Sequence, residues 1–209
     1  MNSKPPLPPP AERASRLRLT VKEKAVSLFF PLLQQGFTQD VQTGISIREL
    51  LSGRFGIPAE YIETRIQTIF IDGKPIDDMD KTFVRNGSTL ALSSAMPGVL
   101  GATLRRGGYY ARMRSQITHT ETAAAPEAAD GRITVKLFNL TIRELGPHFL
   151  ARGIGIEAAE ARDFFGSLRQ DWREVCTVAT MNGTEIGPAG MASLDFPAGY
   201  DVLLEVGTG

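Results

Sequence analysis

The sequence predicts an α+β protein built from two tandem, internally duplicated α+β units, and three observations carry that reading. Short motifs recur in the same order along the two halves, each half runs an apolar stretch into a turn dipeptide, and a small-residue acidic stretch separates the halves. LTVK at 19–22 returns as ITVK at 133–136, and LLQQGF at 32–37 returns as FLARGI at 149–154. FIDGKPI at 70–76 corresponds to TMNGTEI at 180–186, and NGSTLALS at 86–93 to AGYDVLLE at 198–205. Self-similarity that keeps its order is the sequence mark of a repeated supersecondary unit. A true repeat predicts the same strand order in both halves.

Residues 1–16 are proline-rich and read as a flexible tail, since proline offers extended geometry but no packed core. Residues 17–96 form the first unit, 97–120 a Gly/Arg-rich basic connector, 121–130 (ETAAAPEAAD) an acidic Ala-rich linker, and 131–209 the second unit. Each unit has one plan: a strand (17–22; 132–138), a helical stretch ending at glycine, a second helix, and a pair of strands. Ser46 is a good N-cap, and Ile47, Leu50 and Leu51 give the following helix a buried face. In the second unit Ile156, Ala159 and Phe164 show helical spacing among charged residues. QTIFID and CTVATM run into Asp72-Gly73 and Asn182-Gly183, dipeptides that accept the positive φ of tight hairpins. STLALSS and YDVLLEV close the units as short apolar strands.

In GIPAEYIETRIQTIFIDGKPIDDMDKTFVRNGSTLAL, residues 56–92, a GIP follows a helix, an apolar strand enters a glycine turn with Lys74, and an acidic loop precedes STL at the last strand. The first unit in this respect resembles the ubiquitin-like β-grasp superfamily. That resemblance implies a hairpin before the helix, whereas residues 22–46 read as an apolar helical segment in its place.

Composition narrows the chemistry. The formal net charge is zero, so the whole chain has no bias toward nucleic acid or an anionic membrane. Residues 81–120, however, hold six basic side chains and no acid, while 121–209 hold seven basic against thirteen acidic ones. The single cysteine, Cys176, excludes an intrachain disulfide or a Cys-rich metal site, and with no apolar leader or membrane-length run the expected location is cytoplasmic. The acidic Asp77, Asp78 and Asp80 read as loop and capping residues, no nucleophile, base and orienting group stand together, and neither metal nor cofactor is expected. GIGIEA at 153–158 fits a relaxed dinucleotide pattern but follows a helical stretch, which excludes it.

Function is therefore sought in AMPGVLGATLRRGGYYARMR, residues 95–114. Arg105, Arg106, Arg112 and Arg114 offer bidentate forks, Gly107 and Gly108 allow close backbone approach, and Tyr109 and Tyr110 offer stacking faces. These residues fit a non-catalytic binding or adaptor module that meets a protein partner or small anionic ligand through 97–114; nucleic acid is a weaker alternative. The expected internal role of the arginines is to pair with the acidic linker and second unit. Leu104-Arg105-Arg106-Gly107-Gly108 also carries an alternative that the resemblance implies, a modifier or sulfur carrier used through Gly107-Gly108 after processing; an enzyme of unknown class is the second alternative.

Overall fold

The computed structural model describes residues 14–114, 118–119, 126–168, 171–191, 194–197 and 201–209. Most of the proline-rich tail and residues 121–125 of the linker lie outside the described residues. The elements, in chain order, begin with β1 (Ala14–Val21), a 3-10 helix (Glu23–Phe29), α1 (Phe30–Gln35) and β2 (Phe37–Thr43). Next come α2 (Ile47–Glu49), continued by a π-helical turn (Leu50–Arg54), α3 (Ala59–Thr64), β3 (Thr68–Ile71), β4 (Lys74–Pro75) and β5 (Thr89–Ser93). Then follow α4 (Gly98–Leu104), a 3-10 helix (Tyr109–Arg114), β6 (Ala129–Phe138), α5 (Leu140–Arg152), β7 (Ile154–Glu157) and α6 (Ala158–Ser167). The chain ends with α7 (Trp172–Val175), β8 (Cys176–Met181), β9 (Thr184–Glu185), α8 (Pro188–Met191) and β10 (Asp201–Thr208).

Helices and strands are mixed throughout, which fits the α+β class. The chain compacts into a central unit, Phe29–Gly146, and a terminal unit made of Met1–Leu28 with Pro147–Gly209. The division therefore does not follow the linker: each unit takes strands from both sides of it. Strand β1 also starts inside the stretch read as a tail, because residues 14–16 pair with 201–203.

In the central unit the strands lie in the order β4-β3-β5-β6-β2. β5 and β6 are parallel (Thr89↔Thr134 to Ser93↔Phe138), and every other pair is antiparallel. In the terminal unit the order is β9-β8-β1-β10-β7, with β1 and β10 parallel and the rest antiparallel. The sequence of directions is the same in both, but the strand order expected of a simple repeat is not: the closing strand β5 stands beside the β3–β4 hairpin, whereas β1 stands beside the β8–β9 hairpin. The cause is that β1 bonds along its length to β8 and β10, leaving the closing strand β10 to meet β7.

Local hydrogen bonds repeat in matching detail. Asp72 and Gly73 have φ of 50° and 78°, and Asn182 and Gly183 have φ of 52° and 83°, the left-handed pair that a two-residue hairpin needs. Asp72 Oδ1 accepts from Thr89 N at 2.7 Å while Asp72 N donates to Thr89 O at 2.9 Å. Asn182 Oδ1 accepts from Arg16 N at 2.8 Å while Asn182 N donates to Arg16 O at 2.8 Å. Arg16 of β1 thus occupies the place that Thr89 of β5 holds in the other unit. Ile76 N to Ile69 O and Ile186 N to Ala179 O close the two hairpins alike, at 3.0 and 2.8 Å.

Two sequence expectations need correction. Residues 37–43 are a strand, not part of a helical segment: Phe37, Val41 and Thr43 are buried and β2 pairs with β6 from Phe37↔Val135 to Thr43↔Ala129. Ile156 lies in β7, and α6 buries Ala158, Ala161 and Phe165 in place of the face through Ala159 and Phe164. Elsewhere the reading agrees with the fold. Ser46 Oγ accepts from Glu49 N at 3.2 Å, and Ile47, Leu50 and Leu51 are fully buried. Glu144 of α5 accepts from the Tyr61 hydroxyl at 2.7 Å and pairs with Arg65. Arg65 and then Tyr61 hold the Glu144 carboxyl below its usual range, while burial first and Glu144 second push the Tyr61 phenol up.

Replacing Asn182 by Ala removes both the acceptor for Arg16 and a residue type that tolerates positive φ. Urea unfolding followed by fluorescence of Trp172, the one tryptophan, is expected to show a loss of about 1–2 kcal/mol, with Asn182→Gly costing less because only the hydrogen bond is lost.

Candidate functional site

The stretch between β5 and β6 carries the candidate residues, all within the central unit. Its first turn is set by glycine: a Cβ on Gly101 would stand 2.0 Å from Met96 O, so no other residue fits there. Helix α4 ends where Arg105 turns extended (φ −64°, ψ 129°), and Arg106 N donates to Gln67 O at 2.8 Å. The Arg106 guanidinium then reaches Ile62 O at 3.2 Å and Glu63 Oε2 at 3.1 Å. Glu63 is shared with Arg48, which also bonds Asp80 at 2.7 Å. Hydrogen bonding from Arg48, with Arg106 adding its charge, keeps the Glu63 carboxyl below its ordinary range.

Gly107 has φ of 62°, and its N–H donates to Asp77 Oδ1 at 3.2 Å. Gly108 N donates back to Arg105 O at 3.2 Å, so the glycine pair forms a closed turn. Arg114 ends the 3-10 helix with its side chain only 3% exposed. It donates to Thr103 O at 2.7 Å, Thr118 Oγ1 at 2.8 Å and Asp77 Oδ1 at 2.6 Å. Farther on, His119 N donates to Pro75 O at 2.9 Å.

The predicted residues therefore separate into two groups. Arg106, Gly107 and Arg114 are internal anchors. Their acids, Glu63 and Asp77, come from earlier in the chain, which corrects the expectation that the arginines pair with the acidic linker and second unit: the segment folds back over the chain that precedes it. Arg105 and Tyr109 face solvent, with Tyr109 89% exposed, and Tyr110 packs edge-to-face on Tyr109 at 5.1 Å. Arg112 lies in the 3-10 helix, but its side chain is outside the described residues. Two members were missed by sequence reasoning. Val99 and Leu100 of α4 are 80% and 72% exposed; their signal was an apolar pair in a helix too short to bury two faces.

The acidic loop is accounted for by bonds within the protein. Asp77 holds Arg114, Asp80 holds Arg48, and Asp78 Oδ1 caps the turn by accepting from Asp80 N and Lys81 N at 3.0 and 3.1 Å. Among the described residues no group of three or more His, Cys, Asp or Glu could hold a metal ion, and no helix is long and apolar enough to cross a membrane. Cys176 is half-buried, donates to Val178 O, and has its thiol pushed up by burial. Comparison with family models, curated proteins and solved structures found no match to this chain in any of the three.

Asp77→Ala leaves the buried Arg114 without its carboxylate and Gly107 N without its acceptor. Chemical denaturation is expected to show a loss of about 1.5–3 kcal/mol, the range for a hydrogen bond to a charged group. Acid sensitivity has a defined sign. Because the folded-state values of Glu63 and Glu144 are both lowered, the stability they contribute is present above the unfolded carboxylate value of about 4.3 and is lost as pH falls through the lower folded values. Melting temperature measured against pH should drop below about pH 4 in the native chain and drop less steeply in the Glu63→Gln, Glu144→Gln double variant.

Proposed function

We propose that the chain is a non-catalytic binding or adaptor module of two α+β units, the central one β-grasp-like, that contacts a protein partner through the outward side chains of 97–110. One observation carries the proposal. Of the six large apolar or aromatic side chains that stand exposed among the described residues, four fall at Val99, Leu100, Tyr109 and Tyr110. Such clusters mark interaction sites more often than scattered single residues do. Arg105 stands exposed among them, while Arg106 and Arg114 are bonded inward. The exposed set thus suits an apolar surface that offers a carboxylate to Arg105, and it suits a phosphate-bearing ligand less because two of the four arginines are engaged.

The β-grasp reading is supported by the central unit's mixed order β4-β3-β5-β6-β2, with its parallel middle pair and the helical stretch 47–64 between β2 and β3. The matched hairpins and the paired Asp72 and Asn182 bonds are shared local motifs, while the differing strand orders count against a full duplication.

A photo-crosslinking residue placed at Leu100, Tyr109 or, as a control, the exposed Val178 of β8 tests the surface in the native cell. Adducts of the same mass at Leu100 and Tyr109, absent at Val178 and lost on Arg105→Glu, are the expected result. Equal labelling at all three positions would overturn the proposal. Crosslinking repeated in lysate should also fall little in yield between low and moderate salt, in contrast to the steep dependence of nucleic-acid binding.

A further inference from the structure

Each unit is completed by a strand from the other side of the connector. β1 belongs to the first half of the sequence yet lies between β8 and β10, with Leu17, Leu19 and Val21 fully buried. β6 belongs to the second half yet lies between β5 and β2, with Ile133, Val135 and Leu137 at most 1% exposed. Both are middle strands, bonded on both edges. Removing either leaves two rows of backbone donors and acceptors unpaired and opens an apolar face.

We propose that the two halves of the chain are obligate partners, interlocked by exchange of β1 and β6, so that a cut between them yields a tightly held two-chain complex and not a free first half. A cut after Gly108 would separate β6 from β5 and β2 in covalent terms, and β1 from β8 and β10. The product that keeps Gly108 would lack the strand on which β5 and β2 depend, and the other product would lack the strand on which β8 and β10 depend. Release as a free modifier is thereby opposed by the fold itself.

The test uses the full chain with a specific protease site in place of residues 122–125, cut after purification. Co-elution of both fragments at the mass of the whole chain, with separation only in denaturant, is expected; separation in native buffer, or loss of one fragment as aggregate, would defeat the proposal. Simple adhesion of two self-sufficient halves is distinguished by amide hydrogen exchange on the uncut chain. Leu19→Val in β1 should raise exchange in 176–181 and 201–208 while leaving 37–43 and 89–93 protected, and Leu137→Val in β6 should do the reverse. If Leu19→Val instead loosens 37–43 and 89–93, each half completes its own sheet and no exchange occurs. Neither readout requires a binding partner, so failure here leaves the adaptor reading to its own crosslinking test.

Discussion

The parallel pair in the middle of each unit's strands is the constraint from which the remaining architecture follows. Antiparallel neighbours can be joined by a two-residue turn, as β3–β4 and β8–β9 are, but a parallel partner must enter from the same end and so needs a crossover of a dozen or more residues. Residues 94–128 supply that crossover between β5 and β6. The β1–β10 pair draws its members from the two ends of the chain, 14–21 and 201–208. Both pairings are long-range in sequence, so little local information specifies them.

A crossover has to run over the surface with its backbone groups satisfied, and its charge is matched to that task. The acid-free stretch 81–120 looks like an electrostatic footprint when counted along the sequence. In three dimensions Arg106 and Arg114 meet Glu63 and Asp77, and their remaining donors meet carbonyls of Ile62 and Thr103. A buried guanidinium is costly unless its donors are used, and Arg114 uses three different acceptors. The consequence is a segment held in one place, with its apolar side chains already set outward. A surface fixed in advance loses less entropy on binding than a loose one.

Legibility in the sequence follows how local each cause is. The turns at Asp72-Gly73 and Asn182-Gly183 were readable because positive φ is a property of those residues themselves, and the Ser46 cap because its partner Glu49 is three positions away. β2 was not readable: Thr38, Gln39 and Asp40 interrupt its apolar alternation, and its pairing with β6 supplies what its own pattern lacks. β7 is short, and Ile156 fits a helical spacing as well as a strand, so only its pairing with β10 decides. The candidate site was half readable. Arginines and tyrosines announced it, but which arginines turn inward depended on Glu63 and Asp77, dozens of residues earlier, and Val99 and Leu100 carried no charge to draw notice.

The same non-locality governs the meaning of Leu104-Arg105-Arg106-Gly107-Gly108. At a chain end, a glycine pair is useful because it lacks side chains and leaves a bare carboxylate. Inside a chain, glycine is useful because it accepts positive φ and lets a backbone N–H approach a carboxylate, and Gly107 does both at once, with φ of 62° and its bond to Asp77. The oxygen of Asp77 that receives Gly107 N also receives Arg114, which stands beyond the glycine pair. The turn and the downstream arginine therefore share one acceptor and form a single structure. Ending the chain at Gly108 would take away the cation that balances Asp77, just as it would take away β6 from beside β5. Two independent features of the fold thus hold the chain beyond the glycines against the chain before them, and both oppose a detachable tail ending at Gly108.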